Sequence, residues 1–187
     1  MIQRRDDAAK EAALKVARSM VAAALTAPKA HGVDDVDAVI IEGEEKDILA
    51  NHMRDICEET GEEFYGRDAN NVDASHCVVI VAAKDMCMAL DHCNLCGLET
   101  CAGNRKAGAA CALNMTDLGI AVGSAVALAA DNRIDTRVMF SAGKGAMRMN
   151  IFGDNVKVCY GLPLSTTSKS IFFDRNPGAV LIGAEEE

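Results

Sequence analysis

Tryptophan is absent from the 187-residue chain, which holds only two Tyr and five Phe. So few aromatic rings leave little surface on which bases or sugars would stack, and this argues against a single-stranded nucleic-acid binder. Positive charge is also scarce, with 19 Lys plus Arg against 28 Asp plus Glu and a formal net charge of -9. Such a field repels phosphate backbones and anionic lipid headgroups, so neither nucleic acid nor a membrane surface is an expected partner. No long hydrophobic run is present: the longest, from Leu118 to Ala130, is rich in Ala and Gly and shorter than the ~20 residues that cross a bilayer. It reads as a buried helix. The first residues, MIQRRDDAAKEAALK, lack the continuous apolar stretch of a secretion signal, so the expected location is cytoplasmic. Proline is rare and no Ser- or Pro-rich linker occurs, so a single domain over residues 1–187 is expected.

What is present is an alternation of helical and strand patterns. Ala9, Ala13, Val16, Ala17, Met20 and Ala24 recur at helical spacing and predict an amphipathic helix from about Asp6 to Leu25, ended at Pro28. VDAVIIEG predicts a strand, Lys46 to Glu59 a helix, and the polar GRDANNVDAS a loop. His76 to Ala83 is a continuous apolar run of strand length, as expected for a central strand covered on both faces. Beyond it, Leu113 to Ala130 predicts a helix whose Gly119 and Gly123 share a face, TRVMFS a strand, AGKGAMRM a short helix and NVKVCYGLPL a further strand. Close packing within the domain is the simpler role for the two glycines, and a dimer contact the other. The expected architecture is an α/β (α+β) domain, a mixed sheet of about five strands flanked by helices, with a metal-binding loop inserted at residues 85–112.

Eight cysteines in a chain without an export signal point to metal ligation or reduced thiols rather than disulfides. Four of them, Cys93, Cys96, Cys101 and Cys111, fall within 19 residues in which hydrophobic periodicity disappears. Their spacing is C-x2-C-x4-C-x9-C. Two residues between cysteines let both thiolates face one point, and Gly97 frees the backbone to fold around a cluster. Zinc usually takes two short knuckles, and the nine residues between Cys101 and Cys111 make a poor second one. An iron–sulfur cluster, [4Fe-4S] in preference to [2Fe-2S], is therefore the leading expectation, with zinc and unliganded thiols as alternatives. Such a cluster would place the chain in an organism that avoids oxygen.

CNLCGLETC, the cysteine ahead of DLGIAVGSA, RIDTRVMFSAG and YGLPLSTTSKSIFFDR together resemble a family of bacterial and archaeal ferredoxin domain-containing proteins, over about Met20 to Arg175. That resemblance implies an iron–sulfur protein. The cysteine core is also similar to the [4Fe-4S] domains of corrinoid iron–sulfur proteins and of electron-transport complex subunits, where the gap to the last cysteine is longer than nine residues. This leaves Cys111 a less secure ligand than the other three. ARSMVAAALTAPKAHG and DLGIAVGSAVALAA resemble segments of nitroreductase-type flavoproteins, which implies helices around a mixed sheet, a homodimer and FMN, although no basic R-S-x-R cluster stands in the first helix.

Other residues carry two readings each. Cys87 either replaces Cys111 as ligand or is a small apolar side chain. Cys57, Cys77 and Cys159 are expected in the core. Asp91 and His92 either serve the cluster or are solvated, and Arg105 with Lys106 either neutralise it or sit at the surface. Gly143 and Lys144, placed between a strand and a short helix, form a candidate anion cradle, and Ser165 with Lys169 a candidate ligand crevice at a sheet end. The expected function is electron transfer to a redox partner protein or small-molecule substrate, or redox catalysis. The alternatives are a flavin-dependent or Lewis-acid enzyme built on the cluster, and a binding module pinned by a structural cluster or zinc.

Overall fold

A computed structural model describes residues 2–173. In chain order it contains α1 (Arg5–Thr26), β1 (Val36–Ile41), α2 (Glu44–Thr60), α3 (Glu63–Asp73), β2 (Cys77–Lys84), α4 (Cys101–Ala107), α5 (Ala112–Asp131), β3 (Asp135–Thr136), α6 (Phe140–Arg148) and β4 (Val156–Ser165). The strands form one sheet in the order β1-β2-β4-β3.

β2 explains the layering. Its apolar run has no polar face, so it must be covered twice. Cys77, Val79, Val81 and Ala83 point into a core built with α1 and α5, while Val78, Ile80 and Ala82 point into a second core built with α2, α3 and α6. Residues at period two thus feed opposite faces of the sheet. β1 pairs antiparallel to β2 from Val36 opposite Ala83 to Ile41 opposite Val78, and β4 lies antiparallel on the other side.

Several expectations change. The mixed sheet of about five strands is, among the described residues, a four-stranded sheet in which every pairing is antiparallel. GRDANNVDAS lies mostly in α3, not in a loop. Tyr65, Asp68, Ala69 and Val72 recur at helical spacing and are buried, so burial of one face outweighs the polar composition. TRVMFS contributes only Thr136 of the two-residue β3 and a bridge from Met139 to Gly161. Its second half turns into α6 because Ser141 donates a 2.6 Å hydrogen bond to the buried Asp68, seating that helix against α3. Gly119 and Gly123 were expected to permit close intradomain packing. Both instead lie on an exposed stretch of α5, with nothing within 4 Å of the position a Cβ would occupy.

α5 runs past the apolar segment seen in sequence, and at 20 residues with a hydropathy of 1.4 it is long and apolar enough to span a bilayer. In the fold one of its faces is taken by α1 and the sheet, through Leu118, Ala121, Val122, Ala125 and Ala129. The tail beyond Phe173, including the end of the IFFDR segment, lies outside the described residues.

Candidate functional site

Between β2 and α5 the chain leaves regular structure apart from the short α4. Both feet of this loop are anchored. At the first, the Asp35 carbonyl accepts from the Lys84 amide at 2.8 Å and the Asp85 amide donates to Asn155 at 2.9 Å. At the second, Lys157 donates to the Ala109 carbonyl at 3.0 Å, and Asn114 donates to the buried Asp35 carboxylate at 2.5 Å. Asp35 therefore ties the two ends together. The Asp35 side chain lies near Asp117, which accepts from the Ala30 amide through both oxygens at 3.0 Å. Burial, with Asp35 alongside, pushes the Asp117 carboxyl above its ordinary range.

Left-handed backbone is concentrated here. Ala89, His92, Asn94 and Gly97 all take positive φ, between 51° and 78°. Non-glycine residues rarely adopt this conformation, and where they do, the surroundings must hold them there at a cost of about 1–3 kcal/mol each. Gly97 is the position where no Cβ resists the turn, and its amide closes back on the Asn94 carbonyl at 3.0 Å. Such strain collects at sites that bind something.

The loop encloses a cavity of about 360 Å³, counting its open mouth, and five cysteines line it: Cys87, Cys93, Cys96, Cys101 and Cys111. Cys101 opens α4 behind Thr100, whose hydroxyl accepts from the Gly103 amide at 3.0 Å. Cys111 is the N-terminal flanking residue of α5 and makes no side-chain cap. Both thiols are thus fixed in place by the starts of helices. The Cys96 thiol is held below its usual range by the Leu98 amide and then by the Asn104 side chain. Cys87 is buried and its thiol is pushed up by that burial, against an opposing pull from Arg105.

Among the described residues no three His, Cys, Asp or Glu side chains are gathered around one point as a single ion requires. The thiols bound a volume instead. By donor chemistry the lining suits a cluster that needs several thiolates spread around it.

The remaining candidates lie elsewhere. Asp91 and His92 are exposed, as are Arg105 and Lys106, although Arg105 reaches Cys87. Cys77 and Cys159 are core residues, as expected, with thiols that burial pushes up to about 12. Cys57 is only half-buried and faces Gly66 of α3, a correction to its expected place in the core. Gly143 and Lys144 lie inside α6, not at a strand-to-helix turn, and the Gly143 amide is spent on the Met139 carbonyl. The glycine is there for packing, since a Cβ would fall 1.8 Å from the Cys159 carbonyl oxygen. The anion cradle is therefore not formed. Ser165 is buried and its hydroxyl bonds Thr167, while Thr167 donates to the Lys169 carbonyl, a local turn that accounts for these hydroxyls. Asn104, Asp35 and Asp117 were missed in sequence, where a single polar residue in a loop or helix carries no signal of burial.

Comparison with known proteins bears on the same region. Residues 107–175 match the family described as uncharacterized protein containing a ferredoxin domain (DUF2148). The matched stretch holds Cys111 and Cys159, while Cys93, Cys96 and Cys101 precede it. An uncharacterized protein of Archaeoglobus fulgidus is 37% identical over 181 residues, spanning 92% of this chain and 95% of its own. Among solved structures, a nitroreductase family protein from Clostridium novyi NT is similar at a TM-score of 0.55 and 17% identity, over 91% of this chain and 80% of that one. An FMN-dependent nitroreductase from Clostridium difficile R20291 is similar at 0.54 and 13%, over 83% and 77%. At such identities the likeness is one of fold, and it bears out the nitroreductase-like architecture. With more than a third of its residues shared along nearly the whole of the archaeal relative, the chain belongs to the family of proteins containing a ferredoxin domain.

Proposed function

We propose that this protein is an electron-transfer iron–sulfur protein whose cluster is held by Cys93, Cys96, Cys101 and Cys111. The observation that carries the reading is the lining of one cavity by thiols drawn from three separate stretches: the C-x2-C turn, the start of α4 and the start of α5. A cluster bound there supplies a one-electron couple whose potential follows its burial and the hydrogen bonds to its sulfurs.

The protein's part is to keep the thiols deprotonated and the site reachable. The Leu98 amide and the Asn104 side chain favour the Cys96 thiolate, while α4 and α5 position Cys101 and Cys111 against the same cavity. Cys93, Cys96 and Cys101 are half-buried, so one face of the cavity opens to solvent, where an electron could pass to a partner. Leu95 stands there 65% exposed, an apolar contact in the middle of the C-x2-C turn.

The test is an absorption spectrum with iron, sulfide and zinc counts on protein purified without oxygen, before and after dithionite. About four irons per chain and a broad visible band that bleaches on reduction are expected. About one zinc and no visible band would overturn the reading in favour of a structural site.

A second reading is favoured by the fold shared with an FMN-dependent nitroreductase, in which the chain would bind FMN as well and pass electrons between flavin and cluster. Yellow flavin fluorescence released from the purified protein by denaturation would support it, and its absence after FMN addition would remove it.

A further inference from the structure

The cavity has one more thiol than a four-iron cluster uses. Cys87 reaches it from the arm leaving β2, and Cys111 from the start of α5. These two form the inner wall: each is 8% exposed, whereas Cys93, Cys96 and Cys101 are only half-buried. They are also mechanically linked. Asn104, 1% exposed, accepts from the Cys87 thiol at 3.1 Å through its side-chain oxygen and donates at 3.1 Å through its side-chain nitrogen to the carbonyl of Ala110, the residue before Cys111. A second bond, from the Ala109 amide to the Asn104 carbonyl at 3.1 Å, fixes the same stretch. One buried amide side chain thereby sets where both inner thiols stand. No such tie is needed for a small apolar filler, and a buried amide is costly unless its bonds are made.

Resting on the cluster reading above, we propose that Cys87 and Cys111 are interchangeable ligands of a single inner cluster position. In the exchange the bond from iron to the Cys111 sulfur breaks and one from iron to the Cys87 sulfur forms. The proton leaving the Cys87 thiol ends on the Cys111 sulfur. Charge, electron count and donor type are unchanged, so no reductant or co-ligand is consumed. The three outer thiolates hold the cluster throughout.

The experiment is an iron and sulfide count with electron paramagnetic resonance on anaerobically prepared wild type, Cys87→Ala, Cys111→Ala and the double variant. Each single variant is expected to keep about four irons per chain, and the double variant to fall to about three or to lose the cluster. A single variant that falls as far as the double overturns the proposal, because that thiol is then an obligatory ligand. Circular dichroism checks folding; where an alanine variant has lost its helical signal, Cys87→Val or Cys111→Val fills the space without offering iron a donor atom and gives the same reading. Wild type without iron would overturn the parent reading instead, so the two failures are distinguishable.

Discussion

Seven of the eight cysteines divide between two regions, two in the sheet and five in the loop, and Cys96 of the loop is treated in the opposite way to the sheet pair. In the sheet, Cys77 and Cys159 lie between packed layers, bonded only to the protein interior, and their thiols are driven up to about 12. In the loop, Cys96 is exposed to amide donors and its thiol moves down. For Cys77, Cys159 and Cys96 the direction is decided by whether packing buries the thiol or the backbone turns an amide toward it, and the buried Cys87 of the loop follows the first rule. The sheet sustains the fold, and the strained loop it supports is where chemistry can occur.

The largest expected contrast is in reactivity. With metal removed, Cys96 should be alkylated at neutral pH more than about tenfold faster than Cys77 and Cys159, which are buried and whose thiols burial pushes up to about 12. Peptide mapping after brief iodoacetamide treatment checks this, and equal labelling of Cys96 and Cys159 would erase the division.

Next in size is Gly143→Ala, which strikes the sheet side. Its Cβ would meet the Cys159 carbonyl oxygen at 1.8 Å and the carbon at 2.6 Å, backbone atoms that cannot swing aside. A loss of about 3 kcal/mol or more is expected in urea unfolding. A loss below about 1 kcal/mol would mean that α6 packs less tightly on β4 than described.

Much of the sheet side was legible in the sequence. The unbroken apolar run of β2, the helical spacing in α1 and the Ala-rich α5 each show which faces must be buried, and each forms where the pattern places it. α3 was hidden because its buried face includes Asp68, whose partners Arg67 and Ser141 make burial tolerable only after the chain has folded. The antiparallel order was equally invisible, since neither strand length nor hydrophobicity encodes direction. In the loop, spacing brought out the four cysteines and left Cys87 ambiguous. That it faces the same cavity depends on Asn104, a contact 17 residues away in sequence.

A smaller effect should separate the regions again. Thr100→Ala removes the cap of α4 at a cost of about 1 kcal/mol. Because α4 belongs to the loop, the loss should show as faster hydrogen exchange over residues 101–107, with the exchange of β2 unchanged. Acceleration spreading into β2 would show that loop and sheet unfold as one.

The smallest effect concerns the junction of the two regions, where Asp117 sits. Burial raises its carboxyl above the ordinary carboxylate range in the folded chain, so the folded state holds a proton that the unfolded state has released. The resulting stability is full below the unfolded value and is lost as pH rises through the higher folded one. Asp117→Asn keeps an acceptor for the Ala30 amide, so the variant should gain on wild type as pH rises from about 4 to 8. Urea midpoints that run parallel across this range would contradict the assignment.

The most direct test of the central claim compares iron content in two double variants prepared without oxygen. Cys93→Ala with Cys96→Ala should leave a folded protein without visible absorption or bound iron. Cys77→Ala with Cys159→Ala should keep the band and about four irons per chain, even at reduced stability. Iron retained in the first, or lost from a still-folded second, would contradict the division on which the account rests.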